Sequence, residues 1–255
     1  MIAPENPPGF VVLTEAQKAA WGNGYRLERG VGGGWLRYGS TTAPGSIWIA
    51  GASGRGPWFL SLDHSGVAVE IGALPRSSEP GPGLSTFMFA NATELHAALD
   101  RVYKLSMSLP EAPFARFKAK TANLPRTTEA ECMVIQRIGQ DIFRDALMDY
   151  WGGRCPMTGI TEPELLRASH IVPWADCTDA QRLDVHNGLL LSALWDAAFD
   201  RGLISFADNG TVLASPQLSE AARTALGISD APPIQGLRAT HRTNLAIHRT
   251  RNGFG

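Results

Sequence analysis

Between residues 165 and 202 the chain reads LLRASHIVPWADCTDAQRLDVHNGLLLSALWDAAFDRG, and four of its side chains are of types that do chemistry together. His170 ends an apolar, strand-like run and brings an imidazole, which titrates near neutral pH and can take a proton from water. Asp196 and Asp200 stand one helical turn apart, behind Ser192, a residue type that caps helices, and ahead of Gly202, a residue type that ends them. Carboxylates at that spacing share one helix face and can share one ion. Such hard oxygen donors suit Mg²⁺ or Mn²⁺. Asn187 opens a second apolar run, Leu189 to Leu191, and its amide can fix a loop by hydrogen bonds to backbone across the turn. A base for water beside a cation site is equipment for hydrolysis. Each acid also has a plainer reading: the dipole favours any carboxylate near a helix N-terminus, as Asp196 is, and Asp200 can pair with a nearby Arg.

The pairing of SHIVPW with NGLLLS, followed by FDRG, resembles the HNH nuclease family, and the similarity at motif level runs from about Gln136 through Ser215. The resemblance implies a ββα-metal nuclease domain that hydrolyses phosphodiester bonds in DNA, with a divalent ion, Mg or Mn, offsetting charge on the phosphate and the leaving oxygen. It assigns His170, Asn187 and Asp196 as catalytic and Asp196 and Asp200 as metal ligands. The last family position, usually His or Asn, falls on Asp196, so the triplet reads H-N-D. Many members carry Asp or His directly before the base; here that residue is Ser169. Either Asp200 takes that place in the metal shell, or waters and substrate phosphate fill it.

These groups need elements to hold them. Thr127-Thr128-Glu129 starts a long helix to about Trp151, with Val134, Ile138, Ile142 and Leu147 on its buried side and Gly152-Gly153 at its end. Arg137 and Arg144, which match the family's RxGQxxFR pattern, are assigned to DNA, and an ordinary solvated helix face is the alternative. Downstream, Leu203 to Phe206 and Thr211 to Ser215 flank Asp208-Asn209-Gly210, a hairpin signal. Ser219 to Leu226 reads as a short helix. The final stretch carries Arg238, Arg242, Arg249 and Arg251 and no acid. Its spacing, Leu237, Leu245, His248, allows a helix with a basic side, on which Arg242 and Arg249 are assigned to phosphate, and a frayed terminal tail is the alternative.

Pro110 and Pro113 mark a boundary. Residues 110–126 read as a basic linker, in which Arg116, Lys118, Lys120 and Arg126 occur without an acid after Glu111; Lys118 and Lys120 are assigned to DNA, and a solvated linker is the alternative. Before it, residues 1–109 read as a small α+β domain with balanced charge. Thr14 to Gln17 reads as the capping start of a short helix. The runs Trp35–Tyr38, Ile47–Ala50, Trp58–Leu62, Val67–Ile71 and Phe87–Ala90 read as strands of an antiparallel sheet. Asn91 to Glu94 opens a helix with Leu95, Leu99, Val102 and Leu105 on one side. The glycines Gly30, Gly32, Gly33 and Gly34 suggest a hairpin or loop; no Gly-Lys-Ser/Thr follows to make them a phosphate loop. Trp35, Trp48, Trp58 and Phe59 read as core in preference to a base-reading pocket.

The fold class expected is therefore α+β, with an N-terminal α+β domain and a C-terminal HNH nuclease domain over residues 127–255. At 255 residues and 44% hydrophobic, the chain can bury real cores. A net charge of −1 excludes a global basic field, so DNA contact must be local. No apolar run suits a membrane span and no signal-peptide pattern is present, so a cytoplasmic location without membrane partners is expected. Cys132, Cys155 and Cys177 have no pairing logic; ordinary buried or half-buried thiols and no structural zinc are expected. A homodimer is compatible with the sequence. Three functions compete: a metal-dependent endonuclease in bacterial restriction whose N-terminal domain selects the target, a non-catalytic DNA-binding module with a degenerate site, and an effector nuclease whose N-terminal domain binds a partner or signalling ligand.

Overall fold

The computed structural model describes residues 2–125 and 127–254 and divides the chain into two units, Met1–Ala112 and Pro113–Gly255. The fold is α+β. In the first unit, helix α1 (Phe10–Gly22) precedes strands β1 (Leu27–Gly32), β2 (Trp35–Gly39), β3 (Ser46–Gly51) and β4 (Trp58–Leu62). Helix α2 (Ser65–Glu70), strand β5 (Ser85–Phe89) and helix α3 (Ala92–Ser108) complete it. The strands form an antiparallel five-stranded meander in sequence order. Ile49, Leu60 and Phe87 are in register across it and fully buried. Helices α1 and α3 pack against the sheet and each other. Helix α3 begins where the sequence indicates: the Asn91 side chain accepts from the Glu94 N–H, and Leu95, Leu99, Val102 and Leu105 are buried.

Three local readings are corrected. Helix α1 starts at Phe10, four residues before Thr14, whose hydroxyl bends back to the Phe10 carbonyl at 2.9 Å instead of capping. The run from Val67 is helix α2, started by the His64 ring accepting from the Val67 N–H; six residues are too few for the apolar pattern to separate period 2 from 3.6. Strand β1 lies among the glycines. It is mostly exposed and lacks alternation, and Gly33 and Gly34, with φ of 59° and 84°, turn it back on β2. Trp35, Trp58 and Phe59 are core, while Trp48 is half-buried under the Arg37 guanidinium, 5.1 Å from its ring.

The expected linker is largely helix α4 (Glu111–Thr121), which starts in the last two residues of the first unit, runs on into the second, and buries Pro113, Phe117 and Thr121. Arg126 lies outside the described residues. Helix α5 (Glu129–Tyr150) starts with a full capping box between Thr128 and Glu131. Its buried stripe, Gly139, Ile142, Phe143, Ala146, Leu147 and Tyr150, occupies only the C-terminal half; Val134 is exposed and Ile138 half-buried. Then follow β6 (Leu166–His170), α6 (Asp179–Arg182), β7 (Gly188–Ser192), α7 (Ala193–Asp200), the hairpin β8 (Ile204–Phe206) and β9 (Val212–Ala214), α8 (Glu220–Leu226) and α9 (Ala239–Arg251). Cys155 and Cys177 are buried, but Cys132 is exposed on the outer half of α5. No described helix is long and apolar enough to cross a membrane.

Candidate active site

Strands β6 and β7 form an antiparallel ribbon with His170 opposite Gly188 and Leu166 opposite Ser192. Every residue of β7 is buried, which the run GLLLS makes favourable. Ser192 leads straight from the ribbon into α7, and α7 packs back on β6. Strand, strand and helix therefore bring His170, Asp196 and Asp200 to one cleft of about 460 Å³, with Ser169 and Trp174 in its wall.

The His170 ring is held on three sides. Phe143 of α5 stacks on it with ring centroids 3.9 Å apart, and Trp174 meets it edge-on at 5.4 Å. Its Nε2 lies 2.9 Å from the Arg182 carbonyl oxygen. A carbonyl can only accept, so Nε2 carries the proton and Nδ1 of the neutral ring keeps its lone pair. Burial, helped by the Arg182 charge and only partly offset by the carbonyl bond, holds the imidazole below its usual pKa. At neutral pH the ring is a free base.

Asn187 does not line this cleft. It is buried, its Oδ1 accepts from the Val172 N–H at 2.9 Å, and its Nδ2 donates to the Val172 and Gln181 carbonyls at 3.2 and 3.3 Å. The amide laces the connection between β6 and β7, including the turn that presents the Arg182 carbonyl to His170.

Asp196 sits in the first turn of α7, half-buried, and accepts a hydrogen bond from the Ser169 hydroxyl. Burial raises its carboxyl pKa and the Asp200 charge adds to the rise, against the Ser169 bond and the Arg167 charge. Asp200 is mostly exposed, with Arg201 Nε at 4.0 Å. Among the described residues no three His, Cys, Asp or Glu side chains gather as a cation site. The donors present still fit a hard divalent ion in part. Two carboxylates a turn apart, one of them raised by burial and by the other's charge, are relieved by a cation, and the rest of its shell is of the kind filled by water and phosphate oxygens.

Residues 155–207, which hold the ribbon, α7 and β8, match a family model described as HNH endonuclease. The C-terminal unit carries an HNH endonuclease domain. A search of the curated proteins found no match to the chain.

Around the HNH segment, the cationic residues divide. Arg144 donates to the Leu166 and Pro163 carbonyls at 2.8 and 2.5 Å and ties α5 to the start of β6. Arg249 donates to the Phe206 carbonyl at 2.7 Å and to Asp208 at 2.8 Å, with its side chain only 18% exposed. Both guanidiniums, assigned to DNA from the sequence, are held by internal acceptors, Arg144 by two carbonyls and Arg249 by a carbonyl and the Asp208 carboxylate. Arg137, Lys118, Lys120 and Arg242 are exposed, Lys118 lying over the Phe114 ring at 4.2 Å.

Two cleft residues, His248 and Arg251 of α9, escaped the sequence reading as site residues. His248 stacks on Phe199 at 4.0 Å, donates from Nε2 to the Phe199 carbonyl at 3.2 Å, and accepts at Nδ1 from the Ser205 hydroxyl at 2.9 Å. Both nitrogens are committed, so this ring joins α9 to α7 and β8 and offers neither a base nor a ligand. Arg251 donates to Asp176 of the β6–β7 connection. Nothing local in the sequence says that α9 returns to the cleft.

Proposed function

We propose that this chain is a metal-dependent HNH DNA endonuclease, with His170 as the general base, Asn187 as the residue that positions it, and Asp196 and Asp200 as the carboxylates that hold the ion. The observation that carries the reading is the pinned His170 ring: Nε2–H is engaged by the Arg182 carbonyl, so the ring lining the cleft keeps Nδ1 to take a proton from water. Phe143 and Trp174 restrict ring rotation, so the base is oriented before substrate arrives. The water oxygen then bonds to phosphorus as the sugar oxygen leaves. A divalent ion, Mg²⁺ or Mn²⁺, would supply charge neutralisation at the phosphate and the leaving oxygen. Exposed Arg137, Lys118, Lys120 and Arg242 suit phosphate contact. The N-terminal unit, with its own sheet and core, selects the target on this reading, in a bacterial restriction role; the half-buried Trp48 beside Arg37 is a surface on which a base could stack.

The test is cleavage of supercoiled plasmid by purified protein with Mn²⁺, Mg²⁺ or EDTA, beside His170→Ala. Cutting with the metals that is lost in EDTA and in the variant supports the reading; cutting by the variant at wild-type rate removes His170. A second reading, a DNA-binding module with a degenerate site, is favoured by one observation: the Ser169 hydroxyl, where many family members have a ligand, occupies an oxygen of Asp196. Plasmid that is bound but never cut, with any divalent metal, selects it.

A further inference from the structure

Helix α9 buries His241, Leu245 and His248 and presents its other side to solvent. There Arg242, Thr243, Ala246, Ile247, Thr250 and Arg251 line an open groove of about 730 Å³ with Asp208 at its rim. Arg251 also lines the catalytic cleft, so groove and cleft meet at that side chain.

The groove's donors can be resolved one by one. The Thr243 and Thr250 hydroxyls donate to the Ala239 and Ala246 carbonyls at 3.2 and 3.0 Å, back along the helix, and are spent. The Asp208 carboxylate is compensated by Arg249 at 2.8 Å. Arg242 donates Nε to the Asp208 main-chain oxygen at 3.1 Å, a bond that orients its guanidinium without neutralising it. Arg251 is paired with Asp176, but both side chains are half-exposed, at 56% and 51%, and such a pair is weak enough for a phosphate to displace. What remains is an apolar floor, Ala246 and Ile247, between two guanidiniums. Nine residues of helix set them about 13.5 Å apart along its axis and half a turn apart around it, and both side chains reach the groove. The axial distance is roughly the rise of four nucleotides at 3.4 Å per step of a strand.

We propose that this groove seats the sugar-phosphate backbone of the DNA strand as it leaves the cleft, Arg251 holding a phosphate at the near end and Arg242 one at the far end. Arg251 exchanges its bond to Asp176 for the phosphate on binding. The proposal rests on the nuclease reading of the cleft and adds the path of the substrate beyond it.

The experiment measures affinity of the full chain for a fluorescent DNA duplex by anisotropy over a series of salt concentrations, with Ca²⁺ as the divalent ion, beside plasmid cutting with Mn²⁺. Each lost phosphate contact should reduce the slope of log K against log salt by about 0.9, so Arg242→Ala and Arg251→Ala should each do so. Arg242→Lys should restore the slope, because a point charge suffices there. Asp176→Asn should tighten binding a few-fold by freeing Arg251. An unchanged slope in Arg242→Ala, in a protein that cuts plasmid, overturns the groove and leaves the nuclease reading standing. A wild-type chain that neither cuts nor binds DNA with a salt-dependent slope overturns both.

Discussion

A histidine serves as a base at neutral pH only if it arrives unprotonated and correctly turned, and both conditions at His170 are set by neighbours. The Arg182 carbonyl fixes the tautomer, and burial between Phe143 and Trp174 lowers the pKa. His170→Ala should therefore cost about 10²–10⁴-fold in cleavage rate while DNA affinity stays near wild type. The wild-type rate should also hold on acidification past the ordinary imidazole range, since the acid limb follows the lowered pKa. A limb at or above the free-histidine value would contradict this. Asn187 predicts a different signature. Truncating it strands the half-buried Val172 N–H and the carbonyls it serves, at no more than the roughly 1–3 kcal/mol of a fully buried unsatisfied group. Asn187→Ala should lose melting temperature and activity together, whereas His170→Ala should lose activity far more than stability; thermal melts beside rates distinguish the two.

At the scale of elements, the ribbon depends on a residue with no side chain. Gly188 stands opposite His170, and a Cβ there would lie 2.5 Å from Phe143 Cζ and 2.8 Å from Leu147 Cδ1. Gly188→Ala must push α5 or the Phe143 ring aside, at about 1–3 kcal/mol for overpacking, and so unseat the stack on His170. We expect a lower melting temperature and a loss of kcat of about tenfold or more, the equivalent of roughly 1.4 kcal/mol in the barrier. Unchanged kcat would mean the stack does not orient the ring. Elements whose ends carry their own signals were legible in the sequence: Asn91 and Thr128 cap α3 and α5, and Asp208-Asn209-Gly210 turns β8 into β9. Strand β1 was not, because an exposed edge lacks alternation. Helix α4 was hidden by Pro113 and its charge, since its helicity is secured by tertiary burial of Phe117. In the site, the order β6, β7, α7 was legible because the run is contiguous. The closure by α9 was not, because a contact between Ser205 and His248 leaves no local pattern.

Across the C-terminal unit, His170, His248 and Asp196 are among the groups that set how stability responds to pH, and their signs differ. His170 and His248 are both held below the ordinary imidazole value, chiefly by burial. As pH falls through that value the unfolded chain takes up protons first. Their contribution to stability is complete above it and is lost progressively toward the lowered native values. Asp196 acts oppositely: its carboxyl is raised, so its ionisation opposes folding at neutral pH, and this cost is relieved as pH falls through the raised value. A bound cation relieves it without acid. In EDTA, the melting temperature should fall as pH drops from neutral through the imidazole range. At neutral pH, added Mn²⁺ should raise it by mass action on the native state. Asp196→Asn should be more stable than wild type in EDTA, because it removes the half-buried charge. It should also gain little from Mn²⁺ and cut poorly, since an amide has no charge to anchor a hard ion. Asp196→His should recover part of the activity with Mn²⁺, for which imidazole is a good ligand. The decisive protein is Asp196→Asn with Asp200→Asn: if it still melts higher with Mn²⁺ and still cuts DNA, the ion binds elsewhere and α7 is a structural helix only.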